Sequence, residues 1–236
     1  MSVLVTYGGH GLVTSNGTGI GVPVDPYNPY NLPPKTIRYM FEDAAYDPTV
    51  SATVDNSIWT RVSANPNIWD WTTTASNPTL YRRFSNNAFG YPTTSLRVHI
   101  LGANLQGFPQ PGIQSTWQNN PNIVSVRVLD TRTITDFHFA FSGCTNLYEI
   151  AGLPIRDTAF RMYAGCTSLR RLPRFETDSG VNVQEMFIGC RNVESGILDC
   201  YDSLRNASRY FACFRDCGVD TPTGAAELAQ IPSDWK

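Results

Sequence analysis

Six cysteines and three histidines are the side chains in this sequence best suited to metal binding, redox chemistry or nucleophilic catalysis. Cys213 and Cys217 stand near Cys200, and zinc is held by tetrahedral sets of Cys and His. No His lies close to them in the chain, so the set is incomplete. An even cysteine count also invites disulfides, but Cys144, Cys166, Cys190 and Cys217 recur at nearly even intervals, which points to a repeat with buried, reduced thiols. His10, His99 and His138 belong to no nucleophile or zinc motif. There is no Gly-x-Ser-x-Gly, no His-Glu-x-x-His and no P-loop. Gly17-Thr18-Gly19-Ile20-Gly21 lacks the spacing and the following helix of a dinucleotide loop. Asp43, Asp47, Asp55 and Asp70 do not match a calcium loop and read as solvated loop acids. Asn16-Gly17-Thr18 and Asn206-Ala207-Ser208 match a glycosylation sequon, a pattern common by chance. No catalytic residue, metal ligand or cofactor is therefore expected. Trp59, Trp69, Trp71 and Tyr81, with Trp117, suit either a sugar-binding face or the core of a small β unit.

The elements that would carry these residues follow from composition and patterning. Hydrophobic residues make up 42% of the 236 and aromatics 12%, enough to bury a core, whereas charged residues are only 16%. With a formal net charge of −2 and no Lys/Arg run, nothing draws the chain to nucleic acid or to an anionic membrane. A weakly charged surface tolerates neighbours, and a homo-oligomer is expected. No apolar stretch is long enough to span a bilayer. Met1 to His10 has no basic region followed by an apolar one and does not read as a signal peptide.

Residues 1–34 are rich in Gly, Pro, Asn, Thr and Ser and carry a single acid, Asp25. They read as an extended arm, ordered against a partner or frayed. From 35 to 90 the character is β. Ile37 to Glu42 alternates apolar and polar, Ile58 to Val62 is a second strand, and Trp59, Trp69 and Trp71 gather among turn-formers such as Asn65-Pro66-Asn67.

A repeat follows. Phe141-Ser142-Gly143-Cys144-Thr145-Asn146-Leu147, Tyr163-Ala164-Gly165-Cys166-Thr167-Ser168-Leu169, Phe187-Ile188-Gly189-Cys190-Arg191-Asn192-Val193 and Phe214-Arg215-Asp216-Cys217 align without gaps. The cysteines are 22, 24 and 27 residues apart, inside the window of leucine-rich repeats. A weaker unit keeps Trp117 and Ile123 and places Asn120 where the others have Cys; Asn and Cys are the two residues that consensus accepts there. Leu96 to Ile100 supplies the strand of a still earlier unit. One such unit cannot bury its own apolar face, so the units must stack. In that stack Asn120, Cys144, Cys166, Cys190 and Cys217 form a ladder at the turn. Trp117, Ile123, Phe141, Leu147, Tyr163, Leu169, Phe187, Val193 and Phe214 form the core. At the C-terminal end Ile197, Leu198, Tyr201 and Leu204 are spaced for one helical face. Thr223 is placed to cap a second short helix carrying Ala225, Ala226, Leu228 and Ala229 and ending at Ile231-Pro232.

The blocks Phe-x-Gly-Cys-Thr-x-Leu and Met186-Phe187-Ile188-Gly189-Cys190 resemble the BspA-like leucine-rich repeats, including their MFxGCxxL subgroup. The lead-in Ile134-Thr135-Asp136-Phe137 is similar to that subgroup's Val-Thr-x-Met; Ile155 to Phe160 is shorter, and Gly180-Val181-Asn182-Val183 departs from the pattern. The resemblance covers about residues 91–217. It implies a protein of the kind found in gut Bacteroidota and in bacteriophages of gut bacteria, and the Trp59–Trp71 region and the tail from Gly218 look like segments that flank such repeats in phage-encoded proteins.

The expected architecture is mainly β with short helices: an arm (1–34), a β-rich N-terminal cap (35–90), a leucine-rich-repeat solenoid (91–217) and a C-terminal helical cap (218–236). The expected role is non-enzymatic. It is that of a virion component, a head or tail fibre or decoration protein, whose arm docks on other virion proteins and whose solenoid meets a host-surface protein or glycan. The alternative is an adhesin at the bacterial cell surface.

Overall fold

The computed structural model of the chain describes residues 5–6, 12–13, 32–49, 57–73, 96–104, 114–127, 129–130 and 135–236. Among the described residues the chain is mainly β, with two short α-helices and an open sheet that closes into no barrel. Two short strands, β1 (Val5–Thr6) and β2 (Leu12–Val13), pair antiparallel; the rest of the expected arm up to Asn31 lies outside the described residues, as does Tyr81. Leu32, read with the arm, is 5% exposed, and its carbonyl accepts from Asn104 Nδ2.

The main sheet holds β3 (Thr36–Phe41), β4 (Ser57–Ser63), β5 (Asn67–Thr73), β6 (Val98–Asn104), β7 (Ile123–Val126), β8 (Leu129–Asp130) and β9 (Glu149–Ile150). Their order is β4-β5-β3-β6-β7-β9, and β8 continues beside β6. The alternation at 37–41 puts Ile37, Tyr39 and Phe41 on one buried face. Ile68-Trp69-Asp70-Trp71-Thr72 alternates in the same way. The turn-formers that suggested a loop amount only to a short turn at 64–66, and the strand resumes at Asn67. Pairing is antiparallel from β4 to β6 and parallel from β6 onward. Parallel neighbours need a crossover between them.

Successive units stack as tiers. Asp136, Thr158, Asn182 and Arg209 form one run of parallel bridges, each standing eight residues before the cysteine of its tier. The lead-in at Gly180–Val183, irregular by sequence, is thus in step with the others, with Val181 and Val183 buried. In three of these tiers the bridge residue also closes a local turn. His138, Phe160 and Gln184 donate their N–H groups to Asp136 Oδ1 (2.9 Å), Thr158 Oγ1 (3.3 Å) and Asn182 Oδ1 (3.0 Å).

Overlapping turns then carry the backbone around the tier. The residue five before each ladder position has positive φ (Ser115, Phe139, Arg161, Glu185, Ala212), and so has the residue just before it (Asn119, Gly143, Gly165, Gly189, Asp216). The second set comprises the types that tolerate this conformation. The first set does not, and its strain is offset by hydrogen bonds that run from tier to tier. Trp117, Phe141, Tyr163 and Phe187 donate to the carbonyls of Ala140 (2.9 Å), Met162 (2.9 Å), Met186 (3.0 Å) and Cys213 (2.8 Å).

At the C-terminal end α1 (Ile197–Leu204) buries Ile197, Cys200 and Leu204. Its own N-cap, Gly196, offers no side chain. The Glu227 carboxylate from α2 (Pro222–Ala229) accepts from the N–H groups of Ile197 and Leu198 at 2.6 and 3.2 Å instead. The cap of α2 is Thr221 rather than Thr223: its hydroxyl accepts from Gly224 N–H, and Pro222 fills the first helical position, where a missing N–H costs nothing. A 3-10 turn, Ser233–Trp235, follows and buries Trp235. One hydrophobic core runs unbroken from Ile37 to Trp235.

Two stability predictions follow from this packing. A Cβ at Gly189 meets nothing nearer than the Gly165 backbone at 3.8 Å, an ordinary contact, so Gly189→Ala carries mainly the positive-φ penalty, about 1–2 kcal/mol, whereas a Cβ at Gly196 (φ 89°) also collides with the Leu172 carbonyl. In urea titrations Gly196→Ala is therefore the more damaging of the two. The Tyr163 hydroxyl is buried and has no hydrogen-bond partner among the described residues. Tyr163→Phe removes that desolvated group and raises stability by about 1 kcal/mol in the same titration.

Candidate binding groove between the tiers

All nine expected core residues are fully buried. The aromatics stack face to face: Trp117–Phe141 at 4.7 Å, Phe141–Tyr163 at 5.5 Å, Tyr163–Phe187 at 5.6 Å and Phe187–Phe214 at 5.7 Å, with interplanar angles of 14° or less. Trp235, which no repeat pattern predicts, lies on Phe214 and closes the stack. The ladder residues are buried beside it. Cys144, Cys166 and Cys190 donate their thiols to the carbonyls of Trp117 (3.0 Å), Phe141 (3.2 Å) and Tyr163 (3.1 Å), each in the preceding tier. Asn120 accepts from Asn122 N–H instead. Burial pushes the Cys144 and Cys190 thiols up to about 12 and the other four in the same direction, which suits weak donors rather than thiolate nucleophiles. Among the described residues no group of three His, Cys, Asp or Glu is placed to hold a metal ion.

The tryptophans proposed as a binding surface belong mostly to the core. Trp69 and Trp71 are 6% and 7% exposed, and Trp59 is half-buried against Tyr39 and Phe41. The cause is the β5 strand: residues two apart share a face, and that face is the inner one. Trp69 Nε1–H satisfies itself on Asn67 Oδ1 at 2.8 Å.

Serine, histidine and carboxylate meet where the sheet turns from antiparallel to parallel. His99 Nε2 lies 2.9 Å from Glu42 Oε1, and His99 Nδ1 lies 2.7 Å from Ser125 Oγ. A carboxylate only accepts, so Nε2 carries the proton and Nδ1 accepts from the serine hydroxyl. Arg97 Nε holds the other Glu42 oxygen at 3.0 Å. Such a series can activate a nucleophile, but the Ser125 side chain is sealed inside the sheet at 0% exposure and meets no substrate. Its effect is to tie β7 and β6 to the end of β3. Burial depresses His99, with the Glu42 hydrogen bond opposing. Burial raises Glu42, and the hydrogen bonds and charges of His99 and Arg97 outweigh it to leave Glu42 below its usual range.

The open feature of the parallel face is a groove of about 420 Å³ lined by Tyr148, Glu149, Ile150, Arg171, Leu172, Pro173, Arg174 and Asp199. It lies where the pairing between tiers is interrupted, beside Pro173. In two earlier tiers the residue seven after the ladder position donates its N–H to the preceding strand: Arg127 to Ile100 O and Ala151 to Val126 O, both at 2.9 Å. The equivalent residue in the next tier is Pro173, which has no N–H. Among the described residues, Glu149–Ile150 and Arg171–Leu172 accordingly share no strand pairing, and Arg171 bridges onward to Ser195. Below the gap the tiers close again, β10 (Pro154–Ile155) pairing parallel with β11 (Glu176–Thr177). Tyr148, 38% exposed, stands at the groove with the Glu149 carboxylate and the Arg171 and Arg174 guanidinium groups. Arg174 and Asp199 approach at 3.5 Å with both side chains mostly in water, a contact worth little. An aromatic ring, hydrogen-bonding groups of both signs and an apolar floor can hold a polar ligand. Among the described residues no Ser, Cys or His lines the groove.

No protein-family model, no curated protein and no solved structure matches the chain.

The His99 cluster yields a pH prediction. With its folded pKa depressed, His99 stays neutral in the fold while the unfolded chain takes up a proton as pH falls through ~6.5. Stability therefore declines on acidification in that window, and Glu42, also depressed, extends the decline toward the carboxylate range. Melting temperatures measured from neutral to mildly acidic pH should fall for the wild type and fall less steeply for His99→Gln; equal slopes would refute the assignment.

Proposed function

We propose that the chain is a leucine-rich-repeat solenoid, closed at its N-terminal end by the antiparallel β3–β6 unit and at its C-terminal end by α1, α2 and Trp235, and that it acts as a structural and binding protein rather than an enzyme. The observation that carries this reading is that Asn120, Cys144, Cys166, Cys190 and Cys217, picked out by repeat spacing alone, occupy equivalent buried places in successive tiers. Support for a binding role comes from the groove over Pro173, whose side chains suit recognition, and from the burial of Ser125 and His99, which keeps the serine hydroxyl from solvent.

The setting we propose is a bacteriophage particle, with the chain serving as a fibre or decoration component. The N-terminal arm docks on other virion proteins, and the groove face is turned to a host-surface protein or glycan. The likeness of the Phe-x-Gly-Cys-Thr-x-Leu blocks to BspA-like repeats supports that setting. Mass spectrometry of particles purified from lysates of phage-infected gut bacteria is expected to find this chain's peptides at a stoichiometric level. Their absence from particles, with the chain recovered in the host envelope fraction, would overturn the virion reading in favour of a cell-surface adhesin.

A further inference from the structure

Both ends of the stack are covered, but the sheet that covers the N-terminal end has, among the described residues, an edge of its own in β4. At the C-terminal end Ala212 and Phe214 donate their N–H groups to Asp234 O and Trp235 O at 3.1 and 2.8 Å. At the N-terminal end β4 pairs with β5 along one side, and no strand among the described residues takes its other side. An edge strand presents a row of backbone donors and acceptors that templates another strand, and proteins usually blunt such edges with Lys, Pro or shortness. Ser57-Ile58-Trp59-Thr60-Arg61-Val62-Ser63 has none of these. Its single charge, Arg61, is turned over the Trp69 ring with the guanidinium carbon 5.5 Å from the centroid. Ile58 is left 53% exposed, and Thr60 is exposed beside it.

We propose that β4 is a homotypic interface, two copies of the chain pairing their β4 strands antiparallel about a two-fold axis at Thr60. A two-fold contact requires a surface complementary to itself, and this strand meets the requirement. Pairing about its midpoint sets Thr60 opposite Thr60 of the second copy, Trp59 opposite Arg61, and Ile58 opposite Val62. The exposed Ile58 gains a half-buried aliphatic neighbour at the register break, no like charges face each other, and the regular stretch around Thr60 supplies the central pairs. The irregularity in the β4–β5 register lies past Arg61 and leaves Ile58–Arg61 regular. Paired edges alone bury little surface, so the dimer is weak and its fraction rises with concentration. This inference does not depend on where the protein acts.

Sedimentation velocity on the full chain over a wide concentration range tests it. The wild type should move from the 26.2 kDa monomer toward a dimer as concentration rises. Thr60→Lys and Thr60→Glu each place like charges face to face across the axis and should each weaken association about fivefold or more, with unchanged circular dichroism because Thr60 is exposed. An equimolar mixture of the two variants should restore dimerisation, an outcome that only the Thr60 register gives. A monomeric wild type at every concentration, or single variants that associate as well as the wild type, would overturn the proposal. Should the charged variants fail to fold, Thr60→Cys decides: mild oxidation should give a cross-linked dimer through the new thiol, since all six native thiols are buried, and no cross-link would sink the idea.

Discussion

Every tier of this chain finds its hydrogen-bond partners and its core one tier away. The turns that carry the backbone around a tier point the N–H groups of residues such as Phe139, Phe141 and Gly143 out of their own tier, toward Phe160 O, Met162 O and Ala164 O of the next. The same step sets the aromatic rings 4.7–5.7 Å apart from Trp117 to Phe214 and brings the Cys144, Cys166 and Cys190 thiols under the carbonyl of the preceding aromatic. Ring stacking, thiol donation and backbone pairing are thus three readings of one spacing, and a tier detached from its neighbours would lose all three together.

The constraint explains the residue choices. A position between stacked rings and a carbonyl takes a small apolar side chain with one weak donor, which is cysteine. The place before it has positive φ and is Gly, Asn or Asp. In three tiers the bridge position eight residues earlier is Asp, Thr or Asn, whose side chain closes a turn onto its own backbone, while the last tier has Arg209 there. Where the chain cannot supply the next tier it supplies substitutes. The antiparallel sheet from β4 to β6 covers the first, and Trp235 with Glu227 completes the last.

A stack held this way offers few places for function, because its interior is filled and its backbone paired. Openings arise where one rule is broken. Pro173 removes one N–H and opens the groove beside Tyr148; β4, with no tier before it, leaves an edge. Both are surfaces for contact, which is why recognition and assembly, rather than chemistry, make up the proposed role.

Residue type and spacing alone determined the tiers. The ladder at 120, 144, 166, 190 and 217, the nine core residues and the strands at 37–42 and 58–62 were legible because stacking demands near-equal intervals and strands demand alternation. Even the Asp136–Thr158–Asn182 series was written in the chain, although Gly180–Val183 looked irregular when compared with a consensus instead of counted back from Cys190. Tertiary structure alone decided the rest. Glu42, His99 and Ser125 are far apart in sequence, and only the meeting of β3, β6 and β7 joins them. Trp69 and Trp71 suited either a surface or a core until β5 fixed which face was inward. Pro173 is one proline among 16 in the sequence, and it makes a groove only because the strand before it was waiting for an N–H. Periodic contacts repeat in sequence and can be read there; contacts made once, between distant segments, leave no period to read.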